Sequence, residues 1–160
     1  MNKAIFLDRD GVIIQERGDY NFLPQHIVYT KGIIEALEVL SKKDYLLIII
    51  SNQSGIAQGL FTQQDALFVN SSIVDFFASH GIRILDVLFC PHHPYISNCI
   101  CRKPDSLLIE KAMAMYHIDP SKSYLIGDMD RDIEAASKAG ITPIKIEPND
   151  DLNNYLQFIP

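Results

Sequence analysis

Two aspartates near the N-terminus are spaced closely enough to act together. Asp8 and Asp10 lie in the segment Phe6-Leu7-Asp8-Arg9-Asp10-Gly11-Val12, directly after a short apolar run. Residues two apart in an extended chain point to the same side, so both carboxylates repel each other unless a cation lies nearby. The alternative is that these aspartates only cap or turn the chain, because acidic residues are common in turns.

A third carboxylate and a polar segment follow other apolar runs. Asp128 comes directly after Gly127, and Ser51-Asn52-Gln53-Ser54 follows a β-branched run. Since parallel strands bring their carboxyl ends to one edge of a sheet, these groups should converge with Asp8 and Asp10. Hard oxygen donors around an open position suit Mg²⁺, so the sequence predicts a magnesium site built from Asp8, Asp10 and Asp128.

Four soft donors form a second cluster. Cys90-x-His92 is followed, after six residues, by Cys99-x-Cys101. Two short pairs of this kind match a closed tetrahedral Zn²⁺ site, which is structural rather than catalytic. The alternative is three buried cysteines beside a chance histidine, but the prolines and polar residues between the pairs are poor core material. The loop runs directly into Arg102-Lys103-Pro104, so zinc would fix the position of two cations.

Alternating apolar runs and amphipathic patterns predict the elements that must position these groups. Strands are expected at 3–7, 45–50, 84–89, 124–126 and 142–146, and helices at 31–43, 62–79, 106–116 and 133–139. Strands that alternate with helices imply right-handed crossovers. The expected fold is α/β, a single Rossmann-like, doubly wound parallel sheet with helices on both faces. It has no separate cap domain and carries a zinc-binding loop.

Length and composition limit the class of protein. The 160 residues fit one domain, 1–160, and the net charge of −6 argues against a nucleic-acid-binding protein. No apolar run reaches the ~18–20 residues of a membrane span, and the N-terminus does not resemble a signal peptide. A cytoplasmic monomer without nucleic-acid or membrane partners is therefore expected. Three cysteines in one tight group also suggest metal rather than disulfides.

The aspartate segment belongs to a larger set of motifs. The chain resembles the haloacid dehalogenase-like phosphatases through Asp8-Arg9-Asp10-Gly11-Val12, Ser51, Lys103, and Gly127-Asp128 with Asp132. The resemblance implies that Asp8 attacks phosphorus and forms an aspartyl-phosphate. Asp10 would protonate the leaving oxygen and then deprotonate the hydrolytic water.

The same resemblance implies the ligands. Ser51 and Lys103 would hold the phosphoryl oxygens, while Asp8, the backbone carbonyl of Asp10, and Asp128 would bind Mg²⁺. Asp132 would orient Lys103 or the metal's waters. The position of Asp132 is equally consistent with an ordinary carboxylate at a helix N-terminus.

The Cys–His loop narrows the resemblance further. Cys-Pro-His-His-Pro followed by Cys-x-Cys-Arg-Lys-Pro is similar to D-glycero-D-manno-heptose 1,7-bisphosphate phosphatases and to histidinol-phosphate phosphatases. Residues 51–59 look more like the heptose branch, whereas the short loop is closer to the histidinol branch. The implied reaction is removal of the 7-phosphate from the heptose bisphosphate, an intermediate of cell-surface lipopolysaccharide synthesis. By resemblance, the substrate would contact residues 16–19, Ser51, Asn52, Gln53, Ser54 and Arg102.

Two other functions stay open from the sequence. One is hydrolysis of histidinol phosphate or another small phosphorylated metabolite. The other is a non-catalytic module that keeps the fold and the zinc. The presence of both Asp10 and Lys103 disfavours the second. Without a cap domain the site would be open, walled by residues 16–25 and by the Cys–His loop.

Overall fold

Five short apolar segments form a parallel sheet at the centre of the computed structural model, which describes residues 1–160. The strands are β1 (Lys3–Leu7), β2 (Tyr45–Asn52), β3 (Ile84–Cys90), β4 (Tyr124–Gly127) and β5 (Thr142–Lys145). Their order across the sheet is β3-β2-β1-β4-β5, and every neighbouring pair is parallel. Because β1 lies between β2 and β4, the carboxyl ends of these three strands meet at one place.

Helices cover both faces of the sheet. They are α1 (Ile33–Lys42), α2 (Gln63–Ser79), α3 (Leu107–Tyr116) and α4 (Asp130–Lys138). Successive strand residues point to opposite faces, so Ile5 and Leu7 pack with α1 and α2, whereas Ala4 and Phe6 pack with α3 and α4. The predicted α/β fold with helices on both faces is confirmed.

The element boundaries differ from the sequence prediction in informative places. Helix α4 begins at Asp130, three residues before the predicted start, because the Asp132 carboxylate accepts a hydrogen bond from the Met129 N–H at 3.1 Å. Strands β2 and β3 each extend further, to Asn52 and Cys90. The C-terminal segment Leu152–Phe158 is a 3₁₀ helix that packs on α1.

No cap domain is inserted in the chain. Residues 8–32, between β1 and α1, contain only one 3₁₀ turn, Pro24–His26, and residues 53–62, after β2, contain no helix. The site at the sheet edge is therefore covered by loops alone. None of the helices is long enough and apolar enough to span a lipid bilayer.

Candidate active site

The carboxylate of Asp8 lies at the end of β1 in a buried ion-pair chain. Asp8 is only 5% exposed, and its Oδ1 lies 2.8 Å from the Lys103 ammonium. The same Nζ lies 2.6 Å from Asp132 Oδ1 and donates a hydrogen bond to the Ile50 carbonyl at 2.8 Å. One lysine thus joins groups from β1, β2 and α4, which fixes the sheet edge at this point.

Burial changes the ionisation of these charged side chains. It raises the pKa of Asp8 to about 7, and Lys103 opposes the rise while Asp132 and Asp128 add to it. Burial opposes the charge of Lys103, but the carboxylates of Asp8 and Asp132 hold its pKa above the ordinary value. Burial is also the largest cause of the raised pKa of Asp128. The site carries more buried negative charge than Lys103 alone compensates.

Asp8, Asp128 and Asp132 form a carboxylate cluster that fits a hard cation. One oxygen from each lies within 4.8 Å of the others. Asp128 Oδ1 is buried and has no hydrogen-bond partner, which leaves a lone pair free for a metal ion. Asp132 is already paired with Lys103, so Asp8 and Asp128 are the two available donors. The backbone carbonyl of Asp10 accepts no backbone hydrogen bond and is also available.

Gly11 allows the β1 loop to approach Asp128. Its φ is +93°, in the left-handed region, and a Cβ at this position would collide with the Asp128 carboxylate. Glycine is therefore required both by the backbone conformation and by the space beside the acidic cluster.

Three side chains hold the carboxylate of Asp10. Arg9 Nε donates to Oδ2 at 3.1 Å, Gln53 Nε2 donates to Oδ2 at 3.1 Å, and Asn21 Nδ2 donates to Oδ1 at 2.7 Å. The Arg9 guanidinium is completely buried, with Asn70 Oδ1 accepting from Nη1 at 3.0 Å. Arg9, Asn21 and Asn70 were not among the site residues predicted from the sequence. Of these three residues, only Arg9 could have been predicted to contact Asp10, because it lies between two aspartates in the sequence.

The predicted phosphate-binding segment after β2 has several internal contacts. Ser51 Oγ accepts a hydrogen bond from Gln53 Nε2 at 2.7 Å. The Asn52 side chain binds the Lys103 backbone twice, accepting from its N–H and donating to its carbonyl, both at 3.0 Å. Ser54 Oγ lies 2.9 Å from the hydroxyl of Tyr20. The structure therefore brings Ser51, Gln53 and Lys103 to the aspartates, while Ser54 connects to the 16–25 loop.

Two cavities open at this edge of the sheet. The first, of 540 Å³, is lined by Asp10, Asn52 and Asp128 and by residues 16–20 of the first loop, excepting Arg17. The second, of 390 Å³, lies beside the Cys–His loop (residues 91–101) and is lined by Arg102 and Lys103. The two predicted walls of the site are therefore the two loops that border these cavities.

The four predicted zinc ligands come together. The Sγ atoms of Cys90 and Cys101 are 3.0 Å apart, and His92 Nδ1 lies 3.4 Å from Cys90 Sγ and 3.3 Å from Cys101 Sγ. Cys99 Sγ lies 3.7 Å from Cys90 Sγ. All three cysteines are free thiols, since a disulfide needs an S–S distance of about 2 Å. Burial raises the pKa of the Cys90 thiol, so its thiolate form needs a cation such as Zn²⁺.

Comparison with known proteins places the chain in a family. A family model described as HAD-hydrolase-like matches residues 100–147. The D-glycero-β-D-manno-heptose-1,7-bisphosphate 7-phosphatase of Haemophilus influenzae is 35% identical over 148 residues, covering 88% of this chain and 79% of that protein. The chain belongs to the haloacid dehalogenase-like phosphatases, in the family that contains the heptose 1,7-bisphosphate 7-phosphatases.

Two further similarities bear on function. The bifunctional histidine biosynthesis protein HisB of Legionella pneumophila is 37% identical over 147 residues, but this chain spans only 42% of its length. Among solved structures, the D,D-heptose 1,7-bisphosphate phosphatase of B. bronchiseptica superimposes with a TM-score of 0.86 and is 29% identical in sequence. That match covers 99% of this chain and 88% of the other, whose crystal structure contains magnesium and phosphate.

Proposed function

We propose that this chain is a Mg²⁺-dependent phosphatase that removes the 7-phosphate of D-glycero-D-manno-heptose 1,7-bisphosphate through an aspartyl-phosphate. The observation that carries the proposal is the convergence of Asp8, Asp128 and Lys103 at one sheet edge, with one oxygen of Asp128 free of any partner. The similarity to heptose bisphosphate phosphatases supplies the substrate class.

Asp8 is the nucleophile in this mechanism. One of its carboxylate oxygens forms a bond to phosphorus as the bond from phosphorus to the sugar oxygen breaks. Lys103, whose Nζ lies 2.8 Å from Asp8 Oδ1, stabilises negative charge on the phosphoryl oxygens. Ser51 lies at the end of β2, beside β1, and its hydroxyl can donate to the same group.

Asp10 is the general acid and base. It gives a proton to the leaving sugar oxygen and then takes one from the water that attacks phosphorus, which releases phosphate and regenerates Asp8. Arg9, Asn21 and Gln53 hold the Asp10 carboxylate in place, so it needs little reorganisation during the reaction.

Two metal ions complete the proposal. Mg²⁺ would be held by Asp8, the Asp10 backbone carbonyl and Asp128, where it would neutralise charge on the phosphoryl group. Zn²⁺ would be held by Cys90, His92, Cys99 and Cys101. The latter site has no open position, and its loop leads directly into Arg102 and Lys103, so its role is to position these cations.

Several wider features belong to the same proposal. We infer that residues 1–160 act as one domain and as a monomer, on a small phosphorylated metabolite rather than a nucleic acid or a membrane. The closely grouped free thiols support a reducing cytoplasmic location, because such clusters bind metal there instead of forming disulfides. Heptose bisphosphate turnover would place the enzyme in lipopolysaccharide synthesis.

Histidinol-phosphate hydrolysis is the second candidate. The identity to HisB and the short spacing between His92 and Cys99 favour it. Histidinol phosphate carries one phosphate, whereas the heptose substrate carries two. Comparing the rates for these two substrates therefore distinguishes the two functions.

The test is phosphate release from heptose 1,7-bisphosphate and from histidinol phosphate, measured with zinc-loaded protein in Mg²⁺. We expect a kcat/KM at least tenfold higher for the bisphosphate, and no turnover by Asp8→Asn. Asp75→Asn, a matched change at an exposed position on α2, should keep wild-type rates. A preference for histidinol phosphate would reverse the substrate assignment. Activity retained in Asp8→Asn would remove the proposed nucleophile.

A further inference from the structure

Arg131 is a cation at the active-site edge that the proposed chemistry does not use. It lies in the first turn of α4 and lines both cavities, with Asp10 and Asp128 in the first and with Arg102 in the second. Its Nε atom is buried and has no hydrogen-bond partner. A buried guanidinium nitrogen without an acceptor is uncommon in proteins, and this one is available to bind an anion.

Three acidic residues near Arg131 are each paired with another cation. Asp130 pairs with Lys145 at 2.6 Å, and Asp132 pairs with Lys103 at 2.6 Å. Asp105, which lines the second cavity, pairs with Lys138 at 3.4 Å. Arg131 itself forms no ion pair with any carboxylate.

Arg102 has a similar environment. Its Nη1 donates one long hydrogen bond, 3.4 Å, to the His92 carbonyl, and it has no carboxylate partner. Arg102 and Arg131 both line the second cavity, so their two positive charges lie near each other. Two guanidinium groups that repel each other gain stability when an anion lies between them.

The two cavities differ in charge. The first is lined by four carboxylates, from Asp10, Glu16, Asp19 and Asp128, and would need a metal ion before it accepts a phosphate. The second is lined by Arg102, Lys103 and Arg131 against the single carboxylate of Asp105. A free anionic group therefore fits the second cavity, and Arg131 borders both.

We infer that Arg131 and Arg102 together bind a second phosphate group of the substrate, the one that is not hydrolysed, in the cavity between the Cys–His loop and α4. The inference rests on the proposed phosphatase function. By binding this second phosphate, Arg131 would make the enzyme prefer bisphosphates to monophosphates. Guanidinium groups suit this task because they form two parallel hydrogen bonds to phosphate oxygens.

Calorimetric binding in an inactive background tests the inference without turnover. Heptose 1,7-bisphosphate and inorganic phosphate are titrated, with Mg²⁺, into Asp8→Asn and into Asp8→Asn carrying Arg131→Gln. A lost charge-assisted contact should weaken bisphosphate binding about 10- to 100-fold and inorganic phosphate binding by much less. Arg131→Lys should give an intermediate loss, since lysine keeps the charge but not the paired hydrogen bonds.

Arg83→Gln is the matched control, because Arg83 is exposed just before β3, at the opposite edge of the sheet. It should leave both affinities unchanged. The inference is overturned if Arg131→Gln binds the bisphosphate within twofold of its parent, if both ligands lose affinity equally, or if the parent binds no bisphosphate. Failure of the proposed function appears separately, as wild-type protein that binds the bisphosphate but releases no phosphate.

Discussion

The Lys103 ammonium lies 2.8 Å from the Asp8 carboxylate, with both side chains more than nine-tenths buried. The pair connects the end of β1 to the segment that follows the Cys–His loop, 95 residues further along the chain. Lys103 also bridges to Asp132, so a single cation stands between two buried carboxylates. The same contact that stabilises this edge of the sheet also holds the proposed nucleophile.

Removing the cation should destabilise the fold. Lys103→Met leaves Asp8 and Asp132 buried without their partner, and we expect a loss of about 3–5 kcal/mol in the free energy of unfolding. Urea unfolding in Mg²⁺-free buffer measures it. Lys122→Met is the control, because Lys122 is 69% exposed in a surface pair with Asp119 and its removal should change stability little. Equal, small effects from both variants would mean that the buried pair has no net stabilising role.

Gly11→Ala should impair the magnesium site more than it impairs the fold. The new Cβ would meet the Asp128 carboxylate, in addition to the strain of a positive φ. We expect Mg²⁺ affinity and activity to fall at least tenfold, measured by Mg²⁺ titration of turnover. Gly140→Ala carries similar backbone strain, at φ +73°, but meets no atom within 4 Å. If Gly140→Ala loses as much activity as Gly11→Ala, backbone strain rather than the Asp128 contact is responsible.

Burial of Asp8 should make stability depend on pH when Mg²⁺ is absent. Its pKa is raised from 3.8 to about 7, so between these values the folded state holds a proton that the unfolded state has lost. Stability from this group is therefore greatest at low pH and declines as pH rises towards about 7.

Asp8→Asn, which does not ionise, isolates this effect. Its stability relative to wild type should increase from about pH 5 to about pH 8 in urea unfolding, because only wild type then bears the buried charge. Mg²⁺ is left out of the buffer, but no chelator is added, because a chelator would also remove Zn²⁺ and change the stability of both proteins. A difference that is constant across this range would contradict the raised pKa.

The neighbouring histidines 92 and 93 offer a matched test of the zinc site. His92 Nδ1 lies within 3.4 Å of two cysteine sulfurs, whereas His93 Nδ1 accepts a hydrogen bond from the Tyr95 backbone. Elemental analysis should find one zinc per chain in wild type and in His93→Ala, and much less in His92→Ala. His92→Ala should also melt at a lower temperature. Full zinc content in His92→Ala would exclude His92 as a ligand.

The strand ends were predictable from the sequence, and the long-range polar contacts were not. Continuous β-branched runs identified β1 and β2, and the parallel order of the sheet then required Asp8, Ser51 and Asp128 to converge. Spacing alone also brought the Cys and His residues together, because both pairs belong to one short loop. The predicted start of α4 was too late. Asp132 had two interpretations from the sequence, and only its role as a carboxylate at the helix N-terminus implies the earlier start.

No sequence pattern predicted the hydrogen bonds around Asp10. Asn21 and Asn70 lie in a loop and on a helix far apart in sequence, and single polar residues of this type follow no periodic pattern. Gln53 was predicted to contact phosphate, but its contacts to Asp10 and Ser51 depend on the turn after β2. Arg131 could be recognised only once the structure showed that Asp130 and Asp132, its neighbours in the sequence, pair with Lys145 and Lys103.

The aspartyl-phosphate on Asp8 is the central claim, and it can be trapped directly. Asp10→Asn should still accept a phosphoryl group from p-nitrophenyl phosphate, whose leaving group needs no protonation, but should hydrolyse the intermediate slowly. Acid quenching followed by peptide mass spectrometry should then find one phosphoryl group on Asp8 in most chains, and none in Asp8→Asn combined with Asp10→Asn. Phosphate release by Asp10→Asn with Asp8 unmodified, or with the phosphoryl group on another residue, would contradict this mechanism.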